Sequence, residues 1–506
     1  MTSPVLVLLV LLAQTGSAGP PATAAAEAAR QWRRQHERAI LDEFVALLAI
    51  PNVLSDSTNI RRNAEAIGAL LEKRGIAVKL VAVPGGSPVV VGELSAPGAT
   101  RTIGFYAHYD GQPVDPRDWA TPPFSPTLRD RPLEDGGRVL PLPPAGAAVD
   151  PEARLYARGS GDDKASILAM LAALDALHAA GIAPRSSLKF MFEGEEEAGS
   201  EHLEPTIAAN RAAFAADVWL MCDGPVHPTR RPLIAFGARD VAQLDVTVYG
   251  PRHELHSGHY GNWAPNPALL LARLLASMKD ESGRVTVDRF YEGIEPLSEI
   301  EQRAIAEAPD IDAELMEEFW LGSTEAAPAK LIERINRPSL NIRGLASAQV
   351  GALATNVIPA SATASLDIRL VKGMDPGRTL DRVVEHIRKQ GFFVVDSEPS
   401  GEIRRAHPQV AWVARRHVGR GAVRTSMDLP IAQELIRIVE SVRGPAVKWP
   451  SMGGSLPLAE IERPLGVPLI VIPIANHDDH QHSANENLRI QNLWDGIELM
   501  AALLAM

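Results

Sequence analysis

Four stretches of the chain share one layout: an apolar run followed at once by side chains able to bind a metal ion or move a proton. They are IGFYAHYDG, with His108 and Asp110; FMFEGEEEAG, with Glu193, Glu195, Glu196 and Glu197; VWLMCDG, with Asp223; and LIVIPIANHDDHQHS, with His477, Asp478, Asp479, His480 and His482. A single His or Asp after a strand is commonly a turn residue or a solvated cap, but four such ends in one chain point to a shared cause. A fifth stretch, LYARGSGDDKASI, sets Asp162 and Asp163 after a glycine-rich turn and before an alanine-rich run. Helix capping accounts for one of these aspartates and does not require both. Imidazoles and carboxylates suit a borderline cation such as zinc. A carboxylate shared by two ions, with one His and one acid on each, describes a two-metal hydrolase site.

Those residues need a scaffold that brings strand ends together. Residues 77–83, 89–91, 101–106 and 188–192 read as strands, with an alanine-rich helix over 164–180, and strand–helix alternation argues for a mostly parallel sheet. In such sheets ligands sit beyond the C-terminal strand ends. Residues 25–75 repeat apolar side chains at helical spacing and predict two helices. Residues 120–150, rich in Pro and Gly, predict a long surface loop. From residue 241 the pattern changes to strand 241–249, helix 267–278, strands 340–345 and 360–370, helix 376–390 and strand 392–395, an independent βαββαβ unit. Beyond 425 the first style returns, with helix 430–442, strand 468–473 and helix 491–504. The expected fold class is α/β: a catalytic domain with a mixed, mostly parallel sheet flanked by helices, formed by 25–240 and 426–506 and interrupted by an inserted α+β domain at 241–425.

The bulk properties narrow the partners. A chain of 506 residues, 46% hydrophobic and 22% charged, has material for two domains or more. With 62 acidic residues against 50 basic ones and a formal charge of -12, it offers no footprint for nucleic acid or an anionic membrane. The apolar run from Val5 to Ala13, followed by small residues around Gly16 and Ala18, predicts a signal peptide over 1–24, although the first residues lack the usual Lys or Arg. The expected product is secreted or periplasmic, with no membrane attachment after cleavage. The single cysteine, Cys222, excludes an intramolecular disulfide and reads as a small buried residue rather than a nucleophile.

Along nearly the whole mature chain, HYDGQPV, RGSGDDK, FEGEEEAGSE, MCDG, HELHSGHYGN, NVIP followed by SLDIRL, MGGSLP and HSANENL occur in one order. In these motifs the chain resembles the dizinc peptidase and amidohydrolase family of carnosinase-like dipeptidases, glutamate carboxypeptidase, acetylornithine deacetylase and succinyl-diaminopimelate desuccinylase, and the dipeptidase branch most. The resemblance implies two zinc ions per subunit, with manganese or cobalt as alternatives. His108, Asp162 and Asp223 would hold one ion and Asp162, Glu197 and His482 the other, with a cis peptide after the bridging Asp162. Asp110 would orient His108, and Glu196 would act as general base toward a water attacking from between the metals.

The inserted domain would then serve as lid and dimerisation unit, sending His256 into a partner subunit's site to stabilise the oxyanion; Glu254 stands where the family usually has Asp. Arg369, helped by Asn356 at a position often Thr in carnosinase-type members, would take the substrate carboxylate. Gly453, Gly454 and Ser455 would let backbone approach the substrate. Glu193 and Glu195 have no required metal role and read as hydrogen-bonded loop or solvated positions; His480 stands as a competitor to His482. The implied activity is hydrolysis of dipeptides or short peptides with a free C-terminal carboxylate by a homodimer, with N-acyl amino acid deacylation as the alternative. A non-catalytic metal-dependent binding protein would require a broken catalytic set.

Overall fold

The computed structural model describes residues 21–506. The expected leader lies outside the described residues up to residue 20, and 21–24 belong to the first helix, Pro21–Leu48. Among the described residues, no helix is long and apolar enough to cross a membrane.

Eight strands form the larger sheet, in the spatial order Ala77–Val81, Val89–Leu94, Ser187–Glu193, Thr102–His108, Val218–Met221, Leu469–Val471, Leu233–Ala235 and Val447–Trp449. The four strands from Ser187–Glu193 to Leu469–Val471 run parallel to one another, with antiparallel partners, Val89–Leu94 and Leu233–Ala235, on either side. They are buried along almost their full length, which is why they read as continuous apolar runs rather than alternating ones. Alternate side chains still part to the two faces. Phe105, Phe190 and Leu220 join one core with the helices Pro21–Leu48, Lys164–Ala179 and Ile490–Leu504. Tyr106, Met191, Trp219 and Met221 join another with the helices Leu203–Ala209 and Leu458–Leu465. Lys164–Ala179 is buried on nearly every side, so its lack of an amphipathic stripe is what a central helix requires. Strand packing is close enough at Gly104 that a Cβ there would stand 2.3 Å from the Trp219 ring.

The chain leaves this sheet through Gly237–Ala238 and returns through Val423–Arg424, and these two segments pair antiparallel. A side chain at Gly237 would lie 2.1 Å from the Val423 carbonyl oxygen, so only glycine fits this crossing. Between the crossings lies a five-stranded sheet in the order Ser339–Ser347, Ser361–Leu370, Asp240–Tyr249, Val410–His417, Phe393–Val395. In Asp240–Tyr249 every second residue is buried. Ala242, Leu244, Val246 and Val248 form the apolar face that the helices Pro267–Ala276 and Pro376–Lys389 cover. The six elements expected here are all present, and Val410–His417 is added to them as a fifth strand between Asp240–Tyr249 and Phe393–Val395. Within the expected loop 120–150, a short strand, Thr127–Arg129, pairs with Arg154–Tyr156, which in turn pairs with Asn487–Arg489.

Candidate metal centre

The four parallel strands end on one edge of the sheet, and each ending carries its residue to the same place. His108 is the last residue of Thr102–His108, and Asp223 follows Val218–Met221 by two positions. Glu196 and Glu197 open a short 3-10 turn beyond Ser187–Glu193. His482 lies in the loop after Leu469–Val471, and Asp162 immediately precedes the residue that starts Lys164–Ala179 as its N-cap, Asp163. Gly194 lets the glutamate turn fold back, since a Cβ there would meet Tyr109 at 2.4 Å.

Two groups of donor atoms result. His108, Glu196 and Asp223 offer ligand atoms within 4.8 Å of one another, and so do Asp162, Glu197 and His482. Asp162 joins the groups: its Oδ1 lies 2.7 Å from His108 Nε2 and its Oδ2 lies 3.3 Å from His482 Nε2. His482 Nε2 also lies 3.1 Å from Glu197 Oε2, and His108 Nε2 is 3.8 Å from Asp223 Oδ2. The five expected ligands and Glu196 are therefore brought together, and the peptide between Asp162 and Asp163 is cis.

A hydrogen-bonded frame fixes these positions. Asp110, fully buried, accepts the backbone N–H of Glu196 at 3.1 Å and of Glu197 at 3.0 Å, while its Oδ1 stands 3.3 Å from His108 Nδ1. One carboxylate thus orients both the imidazole and the glutamate pair. Gln112 donates to Glu197 Oε2 and Gln481 to Asp162 Oδ2, each at 2.8 Å. Glu486, fully buried, accepts from Gly159, Gly161 and Asp162 backbone N–H groups and from Arg158. None of Gln112, Gln481, Glu486 or Arg158 was expected from sequence; for Glu486 the only signal was its place in HSANENL.

The donor set fits divalent cations. Burial first, and the Asp223, Glu197 and Asp162 carboxylates after it, push the Glu196 carboxyl well above its usual value against the pull of His108. Burial, with Asp162 and Glu197, likewise holds Asp223 up at about 7 despite His108. Glu197 Oε1 is buried with no hydrogen-bond partner. Carboxylates crowded in this way beside two imidazoles are a donor set that divalent cations would stabilise.

The remaining glutamates are both buried and hydrogen-bonded. Glu193 accepts from the Tyr106 hydroxyl at 2.8 Å. Glu195 accepts from Ser87 N at 2.9 Å and faces His202 Nδ1 at 3.0 Å, which latches the glutamate turn to the neighbouring loop. His480 points to Glu134 at 3.4 Å and belongs to neither donor group. Asp478 is held by Arg154 and Arg489, and Cys222 is buried and free. Arg369 donates to Ser455 Oγ at 3.1 Å, joining the inserted sheet to the Gly453–Gly454–Ser455 loop. His256 is exposed, pairs with Val357 in a two-stranded ladder beside Asn356, and has no hydrogen bond to the metal-group residues. The structure thus brings Arg369 and Ser455 together and leaves His256, on its two-stranded ladder, and Asn356, just before the partner strand Val357–Ile358, exposed and apart from them.

A mixed α/β sheet with two fused carboxylate–imidazole groups at its C-terminal edge defines a metallohydrolase. The chain belongs to peptidase family M20/M25/M40, whose sequence model matches residues 104–506, and it is a metallopeptidase. It is 28% identical over 488 residues to the Cys-Gly metallodipeptidase dug1 of Schizosaccharomyces pombe, covering 90% of this chain and 94% of the relative. It is 28% identical over 431 residues to the Beta-Ala-His dipeptidase of Homo sapiens, covering 82% and 76%. Among solved structures, an M20 family metallo-carboxypeptidase from Sulfolobus solfataricus superposes with a TM-score of 0.73 at 26% identity, covering 92% of this chain and 98% of that one. Human carnosine dipeptidase 1 shares the fold, with a TM-score of 0.72 at 24% identity and coverage of 95% and 99%.

Proposed function

We propose that the protein hydrolyses dipeptides or short peptides bearing a free C-terminal carboxylate, with Glu196 as general base. The observation that carries this reading is Asp162, whose two oxygens face imidazoles of two separate donor groups. His108, Asp162 and Asp223 would hold one ion and Asp162, Glu197 and His482 the other, zinc foremost, with manganese or cobalt as alternatives. Bound there, two divalent cations supply Lewis acidity toward a water and the scissile carbonyl. Glu196, fixed through its backbone by Asp110, takes the proton from the attacking water and returns it to the leaving amine. Arg369, steadied by Ser455, pairs with the terminal carboxylate, and the Gly453–Gly454 backbone lies alongside. The peptidase reading is supported by the dipeptidase names of the two relatives.

His256 and Asn356 serve the site of a second subunit in this account, with 241–425 as the lid and dimerisation domain. The exposed apolar residues Ile342, Leu345, Val350 and Leu353, on the edge strand Ser339–Ser347 and the loop after it, support an interface between two copies. Export to a secreted or periplasmic location rests on the N-terminal apolar run alone.

N-acyl amino acid deacylation is the second reading, because Arg369 with Ser455 recognises a carboxylate that both substrate classes carry. A hydrolysis screen of dipeptides and N-acyl amino acids, with zinc, manganese or cobalt restored to the metal-free protein, separates the two. Cleavage of dipeptides ahead of N-acyl amino acids is expected. Binding of two metal equivalents with no hydrolysis of either class would sink the enzyme reading and leave a metal-dependent binding protein.

A further inference from the structure

The metal groups open into a cleft of about 600 Å³, with Gln112, Glu196, Glu197 and His482 on one wall. The same cleft is lined by Arg239, Arg416, His417 and Arg420, with the carboxylates of Asp240 and Glu460 among them. Most of its guanidiniums are compensated inside the protein. Arg416 pairs with Asp245 at 2.6 Å, and Arg420 pairs with Glu204 at 2.6 Å and with Glu460 at 2.9 Å. Arg369, beside them, has Asp367 at 3.5 Å.

Arg239 differs. Among the described residues no carboxylate lies within 4.0 Å of it, and its side chain makes a single hydrogen bond, from Nε to the Gly453 carbonyl at 3.0 Å. That bond fixes the plane of the guanidinium and leaves both terminal nitrogens without a protein acceptor. The position is tight: a Cβ on Gly453 would stand 3.4 Å from Arg239 Nη2 and 3.5 Å from Ile335. The same three-residue loop holds the second guanidinium, since Ser455 accepts from Arg369. Burial first, and then the neighbouring Arg369 cation, pull Arg239 down to about 10, with Asp367 opposing.

A partly buried cation set beside a like charge is unfavourable unless something anionic completes it. A guanidinium held at Nε presents its remaining donors in a planar fork suited to a carboxylate. We propose that Arg239 is a second carboxylate-binding residue of the cleft, so that the preferred substrate carries two carboxylates on its C-terminal residue. Arg369 takes the terminal carboxylate, and Arg239 takes the side-chain carboxylate of an aspartate or glutamate. The proposal rests on the dipeptidase reading above for its substrate, and on the Arg239 geometry for the anion.

The test compares Ala-Glu with its neutral isostere Ala-Gln on the zinc-loaded full chain. In the wild type, kcat/KM for Ala-Glu should exceed that for Ala-Gln by about tenfold or more, mainly through KM. In Arg239→Met that ratio should fall to near one, and Arg239→Lys, a second variant that keeps the charge, should recover part of it. A wild-type ratio of one or less, or an unchanged ratio in Arg239→Met, overturns the proposal. Calorimetric binding of L-glutamate and L-glutamine to the same proteins keeps the two readings apart. If no dipeptide is cleaved, the peptidase reading fails, yet glutamate binding at least about tenfold tighter than glutamine, lost in Arg239→Met, still supports Arg239 as a carboxylate site. Equal binding of the two amino acids to the wild type overturns it.

Discussion

The buried carboxylate of Glu486 accepts the backbone N–H of Asp162 at 3.0 Å. The same carboxylate takes the N–H groups of Gly161 and Gly159, at 2.8 and 3.0 Å, and Nη1 of Arg158 at 2.8 Å. Glu486 belongs to the loop that carries His482, and Asp162 to the loop that lies between the two donor groups. One side chain therefore sets the relative position of the two loops from which the shared carboxylate and an imidazole come.

Glu486→Gln leaves one acceptor oxygen and places an amide donor against N–H groups, and the buried Arg158 loses its carboxylate while keeping only the Ser483 carbonyl and the Trp119 ring. The expected costs are about 3–5 kcal/mol of stability and a 10–100-fold loss in metal affinity, the usual order for a residue supporting metal ligands. Denaturant titration and chelator competition measure the two. Wild-type values in both would remove Glu486 from its positioning role.

Glu193 gives a pH signature. Burial first, then the nearby Asp110 carboxylate, push its carboxyl up to about 8. The folded chain therefore keeps a proton that the unfolded chain releases near pH 4.5. The resulting stabilisation is full below that pH and is lost as pH rises to about 8. Glu193→Gln, neutral at every pH, should gain in melting temperature relative to the wild type between pH 5 and 8.5. Parallel melting curves across that range would contradict a neutral Glu193.

These residues also show where sequence reasoning stops. The four central strands were readable because each is buried on both faces and is continued by a segment carrying ligand-type side chains. Leu233–Ala235 and Val447–Trp449, three residues each, are too short to show a period. Val410–His417 is masked by its exposed Arg415–Arg416–His417 end. The donor residues could be picked out by type and position after a strand. The roles of Glu486, Gln112 and Gln481 could not, because each depends on a partner far away in the chain. Glu195 is the same case: its acceptors' donors, Ser87 N and His202, sit on either side of a fold contact that no local pattern announces.

Arg369→Ala should weaken peptides with a free C-terminal carboxylate by about 10–100-fold in kcat/KM, while amidated peptides change little, because only the former pair with the guanidinium. Steady-state kinetics on matched free and amidated substrates checks this. Equal loss on both would mean that Arg369 holds the Ser455 loop rather than the carboxylate.

His256→Ala should abolish activity if the residue works in a neighbouring subunit's site, and mixing it with Glu196→Gln should restore part of the activity in mixed dimers. Turnover after subunit exchange, followed with size-exclusion chromatography, reads the outcome. No recovery in a confirmed mixed dimer would place the function of His256 elsewhere.

The most direct test of the account is Glu196→Gln, with metal content and turnover measured on the same sample. Glu196 is the one member of the two donor groups to which only a proton-transfer role is given. The variant should retain about two metal equivalents per chain and lose about four orders of magnitude in kcat. Near-normal turnover, or inactivity explained by loss of one metal equivalent, would contradict Glu196 as the general base.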